Sequence, residues 1–396
     1  MSRLPCLLRR PPAGVAGPQT TRIRWPPKPW VSVAAVGPSR YEDAGVGGQR
    51  GALAAVTRHL GPTLDGVKML TGFGDYASVL ALSDELAVAI STDGVGTKTI
   101  VAGAMNRYDT IGFDCVAMNV NDVLCVGARP LAMVDYLGVH TLDAGRADAI
   151  LEGLGAAARE AGVAVPGGEL AQLPEIIGSD GGSPGDPGAF DLVGTCIGTL
   201  RPDDLTLGAG VRPGDAIVGI ASSGIHSNGL TLARKSLAGA GYGYGDKVPL
   251  LGGLLGEALL EPTAIYVRAI TALWDAGIET RGLAHITSDG LCNLCRLHAE
   301  VGYIIERLPP APPIFELIRA AGGIDVTEMY RVFNMGVGFV VIVDRAHLTD
   351  ALVCMTAAGH VAMDIGTVGD EDGVVRIEPA GIAGRFEGGE SRFETA

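Results

Sequence analysis

The chain has 396 residues, more than a single domain usually contains, so two domains are expected. Hydrophobic residues make up 47% and charged residues 19%, a composition that is sufficient for packed hydrophobic cores and argues against a disordered chain. The 59 glycines show no three-residue repeat, which excludes a collagen-like protein. The net charge of −14 argues against non-specific nucleic-acid binding, and no apolar run of about 18 residues is available to span a membrane.

The charge is unevenly distributed along the chain. Residues 1–41 contain seven Lys or Arg, no acid and eight of the 23 prolines, and the remainder carries a net charge of −21. Because proline breaks helices and lacks the donor that a sheet needs, residues 1–38 are predicted to be a basic, disordered leader. The acid-free, Arg-rich start resembles a transit peptide, but it is poor in Ser and not clearly amphipathic. A disordered tail, or upstream sequence translated from an early start codon, is the favoured interpretation.

Strand-like and helix-like patterns alternate from residue 86 onward. The apolar run at 86–91 predicts a buried strand, and apolar residues at helical spacing over 110–126 predict a helix. Asp143 is a plausible N-cap of the next helix, which Gly162 would end. Further strands are predicted at 131–139, 190–200, 215–221 and 336–343, and further helices from Ser227 onward, at 262–276 and at 345–358.

This alternation predicts a mixed α/β protein of two domains. A Gly- and Pro-rich stretch at 178–188 is predicted to be a flexible surface loop, and 201–213 is a boundary candidate. The predicted domains are 39–205 and 206–376, followed by a tail at 377–396. Seven scattered cysteines do not form the framework of a small secreted protein, so a cytoplasmic location is the default.

The segment 92–98, Thr-Asp-Gly-Val-Gly-Thr-Lys, directly follows the first predicted strand. Its glycines, Gly94 and Gly96, would let backbone N–H groups approach a phosphate, to which Lys98 could add a charge. Asp93 could hold Mg²⁺, which prefers oxygen ligands. The spacing is not that of a Walker A loop, and a tight strand-to-helix turn is the simpler alternative.

Two further polar groups support a metal–phosphate site. The segment 119–122, Asn-Val-Asn-Asp, lies within an apolar helical pattern, where Asn and Asp are costly unless they are paired or bind a metal. The same residues could instead cap a helix end. Asp75, in the segment Gly-Phe-Gly-Asp, is a third possible carboxylate near metal-bound phosphates.

The segment 222–229, Ser-Ser-Gly-Ile-His-Ser-Asn-Gly, carries the strongest local pattern. It lies between a predicted strand and a predicted helix, where hydroxyls, glycines and a helix N-terminus form an anion site. His226 adds a group that titrates near neutral pH. Arg331 and Asn334 stand at the end of another element, where ligands often bind, although surface polarity explains them equally well. Cys292 and Cys295 form a lone Cys-x-x-Cys pair, which is weak grounds for zinc or redox chemistry.

In this order, these segments resemble the aminoimidazole ribonucleotide synthetase family of the PurM-like ATP-binding superfamily, from about residue 41 to 366. The resemblance implies a two-domain α/β fold whose N-terminal domains pair in a homodimer. It implies ATP and Mg²⁺ as cofactors, with K⁺ as a further candidate ion. It also implies the reaction, in which formylglycinamidine ribonucleotide (FGAM) closes to 5-aminoimidazole ribonucleotide (AIR) with release of ADP and phosphate in purine synthesis.

The resemblance also implies roles for individual residues. The candidate catalytic residues are Lys98, His226 and His285. The candidate nucleotide-binding residues are Asp93, Gly94, Gly96, Thr97, Lys98, Asn121 and Asp122. The candidate metal ligands are Asp75, Asp93 and Asp122. The candidate substrate-binding residues are Ser222, Ser223, Gly224, His226, Ser227, Asn228, Arg331 and Asn334.

The sequence departs from the family pattern at three places. Ser288 and Asp289 stand where the family usually has glycines, and a carboxylate beside a phosphate-handling loop would repel its ligand. The family segment Gly-Gly-Glu-Thr-Ala-Glu reads Gly-Gly-Glu-Leu-Ala-Gln at 167–172, which loses one carboxylate. The Asp75 segment looks more like that of the wider superfamily.

Two alternatives stand beside the cyclo-ligase. One is another ATP-using enzyme of the superfamily, such as a thiamine-monophosphate kinase-like or selenophosphate synthetase-like protein. The segments 222–229 and 329–338 argue against it, and no early Cys-Lys pair favours selenophosphate chemistry. The other is a non-catalytic dimeric paralogue, which the retention of Asp93, Lys98, Asn121 and Asp122 argues against.

Overall fold

The computed structural model describes residues 40–46, 49–178, 186–387 and 390–396. The predicted leader, 1–38, lies outside the described residues, and so does most of the predicted surface loop at 178–188. Among the helices of the described ranges, none combines the length and the apolar composition that crossing a membrane requires.

The N-terminal half forms a five-stranded sheet with helices on one face. Its strands are β1 (Ser78–Ala81), β2 (Ala87–Gly94), β3 (Arg129–Val139), β4 (Gly168–Gln172) and β5 (Phe190–Leu200), and their spatial order is β1-β2-β5-β3-β4. Its helices are α1 (Gln49–Leu60), α2 (Lys98–Met105), α3 (Ile111–Cys125) and α4 (Ala144–Ala161). Of the neighbouring pairs among these five strands, β3–β4 is parallel and the others are antiparallel.

The C-terminal half contains a second, larger sheet of eight strands. They are β6 (Ala216–Ala221), β9 (Gly282–His285), β10 (Gly302–Ile305), β11 (Val337–Val343), β12 (Ala362–Gly369), β13 (Val374–Ile377), β14 (Ile382–Glu387) and β15 (Glu390–Thr395). Their order is β15-β14-β13-β10-β12-β6-β11-β9, and β7 (Lys247–Val248) and β8 (Gly253–Leu254) form a separate small pair. The helices are α5 (Leu230–Gly239), α6 (Leu255–Leu259), α7 (Val267–Asp275), α8 (Ile314–Gly322), α9 (Val326–Val332) and α10 (Leu348–Ala357).

Local sequence patterns explain most of these elements. The Asp143 side chain accepts a hydrogen bond from the Arg146 N–H at 2.7 Å and so caps α4, and Gly162 ends that helix in the left-handed conformation, φ +71°. Strand β5 has the predicted bounds, and its side chains alternate between the buried helical face and the opposite face.

The structure differs from the sequence-based elements in two places that matter for the site. The helix predicted at 262–276 begins only at Val267, because the preceding segment is bound by side chains of α3. The residues predicted as a C-terminal tail instead form β14 and β15, which extend the large sheet by antiparallel pairing.

The close packing of α3 on α4 depends on glycines. A Cβ atom at Gly153 would lie 2.0 Å from the Asp109 carbonyl oxygen, and one at Gly112 would lie 2.0 Å from the Leu154 nitrogen. Both obstacles are backbone atoms, which cannot move aside as a side chain can. Small residues at this crossing therefore set the distance between the two helices.

We expect Gly153→Ala to destabilise the fold by about 2 kcal/mol or more, because the methyl group forces the α3–α4 contact apart. The matched control is Gly155→Ala in the same helix, where the nearest atom to a new Cβ is the flexible guanidinium end of Arg159 at 3.4 Å. That substitution should be neutral or stabilise by up to ~1 kcal/mol through helix propensity. Urea unfolding of both variants checks the difference, and equal midpoints would contradict the packing argument.

Candidate active site

Three of the predicted site residues meet at the boundary between the two domains. Asp93 stands at the end of β2, Asp122 in the last turns of α3, and His285 at the end of β9. Strand β9 packs against α3, and this contact brings the C-terminal histidine to the N-terminal carboxylates.

Asp93 lies in an environment that disfavours its charge. Burial and the neighbouring Asp122 carboxylate raise the pKa of Asp93 from 3.8 to about 6, although a hydrogen bond from the Gly94 N–H and the nearby His285 act in the opposite direction. Within the described ranges, Asp93 has no Lys or Arg partner. Asp93 therefore lies beside a second carboxylate without a Lys or Arg to balance its charge.

His285 is fully buried and orients Asp122. Its Nδ1 lies 2.9 Å from an Asp122 oxygen, and its Nε2 lies 3.5 Å from the Asn121 amide nitrogen. With Nδ1–H donating to the carboxylate and Nε2 accepting from the amide, both ring nitrogens are occupied. The geometry therefore gives His285 a positioning contact to Asp122, not the open ring nitrogen expected of a general acid or base.

Asn121 joins the two domains. Its amide nitrogen donates to the Ala264 carbonyl at 2.9 Å, and its amide oxygen accepts from the Tyr266 N–H at 3.0 Å. The side chain is fully buried. The geometry therefore uses Asn121 to hold the segment before α7, and the nucleotide contact that the sequence predicted for it is not supported by this arrangement.

Lys98 also differs from its predicted role. Its ammonium group is fully buried, 2.8 Å from an Asp114 oxygen and 2.5 Å from the Glu261 carbonyl. The same Asp114 oxygen accepts from the Thr263 N–H at 2.9 Å and the Thr263 hydroxyl at 2.5 Å. Burial lowers the pKa of Lys98, and Asp114 opposes this shift. The Lys98–Asp114 pair thus lies within the N-terminal domain and contacts the other domain through the Glu261 carbonyl and Thr263, and a phosphate could reach Lys98 only if the pair opened.

The loop containing Gly94, Gly96 and Thr97 leads into the N-terminus of α2. Gly96 adopts a left-handed conformation, φ +69°, which favours glycine, and a Cβ there would point into open space. The Thr97 hydroxyl lies 3.1 Å from the hydroxyl of Thr231, in the first turn of α5. The N-termini of two helices therefore converge here, each with the positive end of its dipole.

His226 lies in the strand-to-helix loop that the sequence predicted, but it is 1% exposed. Its backbone is left-handed, φ +62°, and its Nε2 accepts from the backbone N–H groups of Ser223 at 3.3 Å and Ala264 at 3.5 Å. Burial lowers the pKa of His226 well below 6.5, so the ring is neutral at physiological pH. His226 therefore stabilises the conformation of the loop through these two hydrogen bonds, and this geometry does not support the predicted proton-transfer role.

The other residues of this loop are tied to neighbouring segments. Ser223 is exposed and its hydroxyl donates to the Pro262 carbonyl, while the Ser227 hydroxyl lies 3.3 Å from that of Thr263. Asn228 accepts from the Ser288 hydroxyl at 3.2 Å. The Ser222 hydroxyl is buried without a hydrogen-bond partner among the described residues.

A cavity of about 430 Å³ lies against this loop. Ser223 and the buried Gly224 contribute to its lining, together with Arg107 and Glu261. The predicted substrate-binding residues Ser223 and Gly224 therefore do border open space.

Arg331 and Asn334 have strong partners inside the protein. Arg331 forms a two-bond ion pair with Glu328, with both nitrogen–oxygen distances at 2.7 Å. The Asn334 amide donates to the carbonyls of Gly224 and Ile225 and accepts from the Gly336 N–H. Asn334 thus stabilises the 222–229 loop from behind.

Asp75 is not brought to the other two carboxylates. One of its oxygens lies 2.9 Å from His298 Nε2 and the other accepts from the Gly72 N–H at 2.8 Å. Across the described ranges, no three His, Cys, Asp or Glu side chains are grouped as ligands of a metal ion. The predicted three-carboxylate site is therefore reduced to the pair Asp93 and Asp122.

This pair fits a Mg²⁺ ion that is shared with phosphates. Mg²⁺ commonly takes one or two protein carboxylates and completes its shell with water and substrate phosphates, so a third protein ligand is not needed. The raised pKa of Asp93 is the observation that supports the fit, because a divalent cation would relieve the repulsion that contributes to it.

Sequence reasoning missed Asp114, Thr263 and Tyr76. The Tyr76 hydroxyl donates to the His285 carbonyl at 3.1 Å, and the Arg296 guanidinium lies 4.0 Å above the Tyr76 ring. Asp114 had a local signal, since it is an acid on the apolar face of the predicted helix at 110–126. Thr263 had none, because its contact to Asp114 spans 149 residues.

Comparison with known proteins agrees with this architecture. Residues 74–200 match the family model for the AIR synthase related protein N-terminal domain, and residues 212–378 match that for the C-terminal domain. A solved structure, tt0281 from Thermus thermophilus, aligns with a TM-score of 0.56 and 21% identity, covering 83% of this chain and 96% of that one. That likeness supports the fold.

Two curated relatives carry the family assignment. The phosphoribosylformylglycinamidine cyclo-ligase of Methanobrevibacter smithii is 48% identical over 284 residues, 72% of this chain and 80% of the relative. The cyclo-ligase of Methanothermobacter thermautotrophicus is 44% identical over 327 residues, 82% of this chain and 92% of the relative. The predicted fold class, the predicted family and the prediction of an enzyme are confirmed. The chain belongs to the phosphoribosylformylglycinamidine cyclo-ligase family.

Proposed function

We propose that the protein closes FGAM to AIR at the expense of ATP, releasing ADP and phosphate. The observation that carries this proposal is the pair of Asp93 and Asp122 beside two converging helix N-termini, on a chain of the cyclo-ligase family. Carboxylates that hold a divalent cation, next to N–H groups that hold phosphate oxygens, are the parts that phosphoryl transfer requires.

The chemistry assigns a role to each part of this site. An amide oxygen is a poor leaving group, and phosphorylation by ATP makes it a good one. The attacking nitrogen belongs to the same substrate molecule, so holding FGAM folded supplies the proximity that ring closure needs. Asp93 and Asp122 would hold Mg²⁺, which supplies charge stabilisation to the transferring phosphoryl group when bound. Backbone N–H groups of Gly96 and Thr97 would bind phosphate oxygens, whereas the Gly94 N–H is already bonded to the Asp93 carboxylate.

The loop at 222–229 would bind the ribose phosphate of FGAM. Its exposed edge at Ser223 borders the cavity, and its other residues are fixed by His226, Asn334 and Ser288. Because these contacts lie within the protein itself, they hold the loop in place, which lowers the entropic cost of binding.

The test is direct conversion. Purified protein is given FGAM, ATP, Mg²⁺ and K⁺, and AIR and ADP are measured together. We expect equal amounts of AIR and ADP, with no turnover when Mg²⁺ is removed by EDTA and full turnover on its return. A parallel reaction with thiamine monophosphate in place of FGAM tests the kinase alternative. ATP binding without AIR formation would contradict the proposed function.

A homodimer built from the N-terminal sheets is also proposed. The face of that sheet opposite its helices exposes apolar side chains, of which Ile90, Val134 and Ile197 are 37%, 45% and 37% exposed. Ile90 pairs with Ile197 across β2 and β5, and Val134 pairs with Thr195 across β3 and β5, so these residues form one contiguous patch. A continuous apolar patch on a sheet is typical of a protein–protein interface.

Val134→Glu should convert this dimer to a monomer, because a buried, unpaired carboxylate at the centre of the interface is costly. Val353→Glu is the matched control, since Val353 is 55% exposed on α10, a helix of the other domain. Light scattering after gel filtration gives the masses. A wild-type monomer, or a dimer that survives Val134→Glu unchanged, would show that this face is not the interface.

The domain division remains a prediction in its details. We propose domains 39–205 and 206–376, the second extended by β14 and β15. Both sheets would then be intact within their domains. A cytoplasmic location also stays a prediction.

A further inference from the structure

The hairpin formed by β14 and β15 lies beyond residue 378, where the match to the C-terminal family model ends. It extends one edge of the large sheet, and β15 packs against α9. Ser391, at the start of β15, is only 3% exposed although it is polar. Its partner is the carboxylate of Asp289, in the turn that follows β9.

Asp289 is held in a conformation that its side chain disfavours. Its φ is +73°, in the left-handed region that favours glycine and that Asp adopts less readily. One Asp289 oxygen accepts from the Ser391 hydroxyl at 2.7 Å and the Ser391 N–H at 3.4 Å, and the Asp289 N–H donates to the Arg331 carbonyl at 2.8 Å. Such strain persists only where surrounding contacts enforce it, and Ser391 supplies one of them.

The turn that contains Asp289 is connected to the proposed substrate loop. The neighbouring Ser288 hydroxyl donates to Asn228 at 3.2 Å, and the Ser288 carbonyl accepts from Asn293 at 2.8 Å. Burial raises the pKa of Tyr41, and the backbone of Gly229 and the side chain of Ser288 oppose this shift, which places all three residues together. A rotation of Asp289 would therefore move Ser288 and bring a negative charge closer to the loop.

We propose that the C-terminal hairpin is a positioning element of the active site, and that Ser391 is the positioning residue. By binding the Asp289 carboxylate, Ser391 keeps the turn in its left-handed form and directs the charge away from the phosphate of the substrate. This inference rests on the proposed function for its kinetic consequence, but its structural part stands independently.

The structural part is tested by hydrogen exchange over residues 286–294, in wild type and in Ser391→Ala. Loss of the Ser391 hydroxyl should raise amide exchange in this segment by at least several-fold, while a distant segment such as α4 is unchanged. Glu394→Ala, at an exposed position of the same strand, is the matched control and should exchange like wild type. Equal exchange in Ser391→Ala and wild type would overturn the proposal whether or not AIR is formed.

The kinetic part separates positioning from general damage. Ser391→Ala should raise the KM for FGAM about 5- to 10-fold and change kcat less than twofold, because a freed carboxylate repels the substrate phosphate. High salt should reduce this increase in KM, because it screens the repulsion between the carboxylate and the phosphate. The double variant Asp289→Gly/Ser391→Ala should recover the wild-type KM, since glycine adopts φ +73° without strain and carries no charge. A wild-type KM in Ser391→Ala, or a raised KM that Asp289→Gly does not correct, would overturn it.

Discussion

Asp93→Asn should abolish ring closure and, at the same time, make the ligand-free protein more stable. Turnover should fall by on the order of 10³-fold, because the variant loses one of the two charges that hold the cation beside the transferring phosphoryl group. Stability should rise because the same charge is buried next to Asp122 in the absence of ligand. A loss of activity through unfolding would give the opposite change in stability.

The pH dependence has a definite sign. The pKa of Asp93 is about 6 in the folded protein and 3.8 in an unstructured chain, so the native state binds the extra proton between these values. The contribution of Asp93 to the stability of the ligand-free wild type is therefore most favourable below pH 4. It is lost as the pH rises through 6 and the buried carboxyl group ionises. The contribution at pH 7 is roughly 3 kcal/mol of destabilisation at most, from 1.36 kcal/mol for each pKa unit. Asp93→Asn removes this part of the pH dependence of stability.

Thermal unfolding from pH 4 to 8, without Mg²⁺ or nucleotide, measures the effect. Asp84→Asn is the control, because the Asp84 side chain is almost fully exposed and should change neither turnover nor stability. In the wild type, kcat/KM should decline below pH 6 as Asp93 of the free enzyme is protonated. An Asp93→Asn variant that keeps wild-type turnover would remove Asp93 from the metal site.

Local patterns in the sequence predicted the scaffold of this site well. Strand β5 and the capped helix α4 follow from alternation, an N-cap at Asp143 and a glycine stop at Gly162. These signals act over a few residues, so a single sequence contains them in full. The strand–loop–helix around His226 was predicted for the same reason, although α5 begins at Leu230 and not at Ser227. Strand β2 runs on to Gly94 and contains Asp93, three residues beyond the predicted end at residue 91.

What each polar residue does in that scaffold depends on partners that are distant in the sequence. Asn121 looked like a ligand because it lies on an apolar helix, and burial against Ala264 and Tyr266 satisfies it instead. Asp289 looked like an obstacle to phosphate, and Ser391, 102 residues later, accounts for its carboxylate. Tertiary contacts of this kind leave no periodicity in the sequence.

Loss of the buried ion pair Lys98–Asp114 should lower the stability of the protein more than it lowers the catalytic activity of the protein that remains folded. Replacing one partner leaves the other charge in the interior, which typically costs about 3–5 kcal/mol. Lys98→Met should therefore lower the urea midpoint strongly, and any loss of turnover should follow the loss of folded protein. We expect this large effect on stability because both side chains are fully buried and Asp114 also accepts a hydrogen bond from Thr263 of the other domain.

Two further variants and a measurement of ATP binding separate this role from the phosphate ligand that the sequence predicted. Lys68→Met, which removes an exposed pair to Asp84 at 3.5 Å, should change stability by less than about 0.5 kcal/mol. The double variant Lys98→Met/Asp114→Leu should be more stable than Lys98→Met alone, because no unpaired charge remains. A phosphate ligand predicts the reverse pattern for Lys98→Met, with wild-type stability and a lost affinity for ATP. Since unfolding midpoints and nucleotide binding are measured on the same preparation, Lys98→Met distinguishes a contact that stabilises the fold from one that binds ATP.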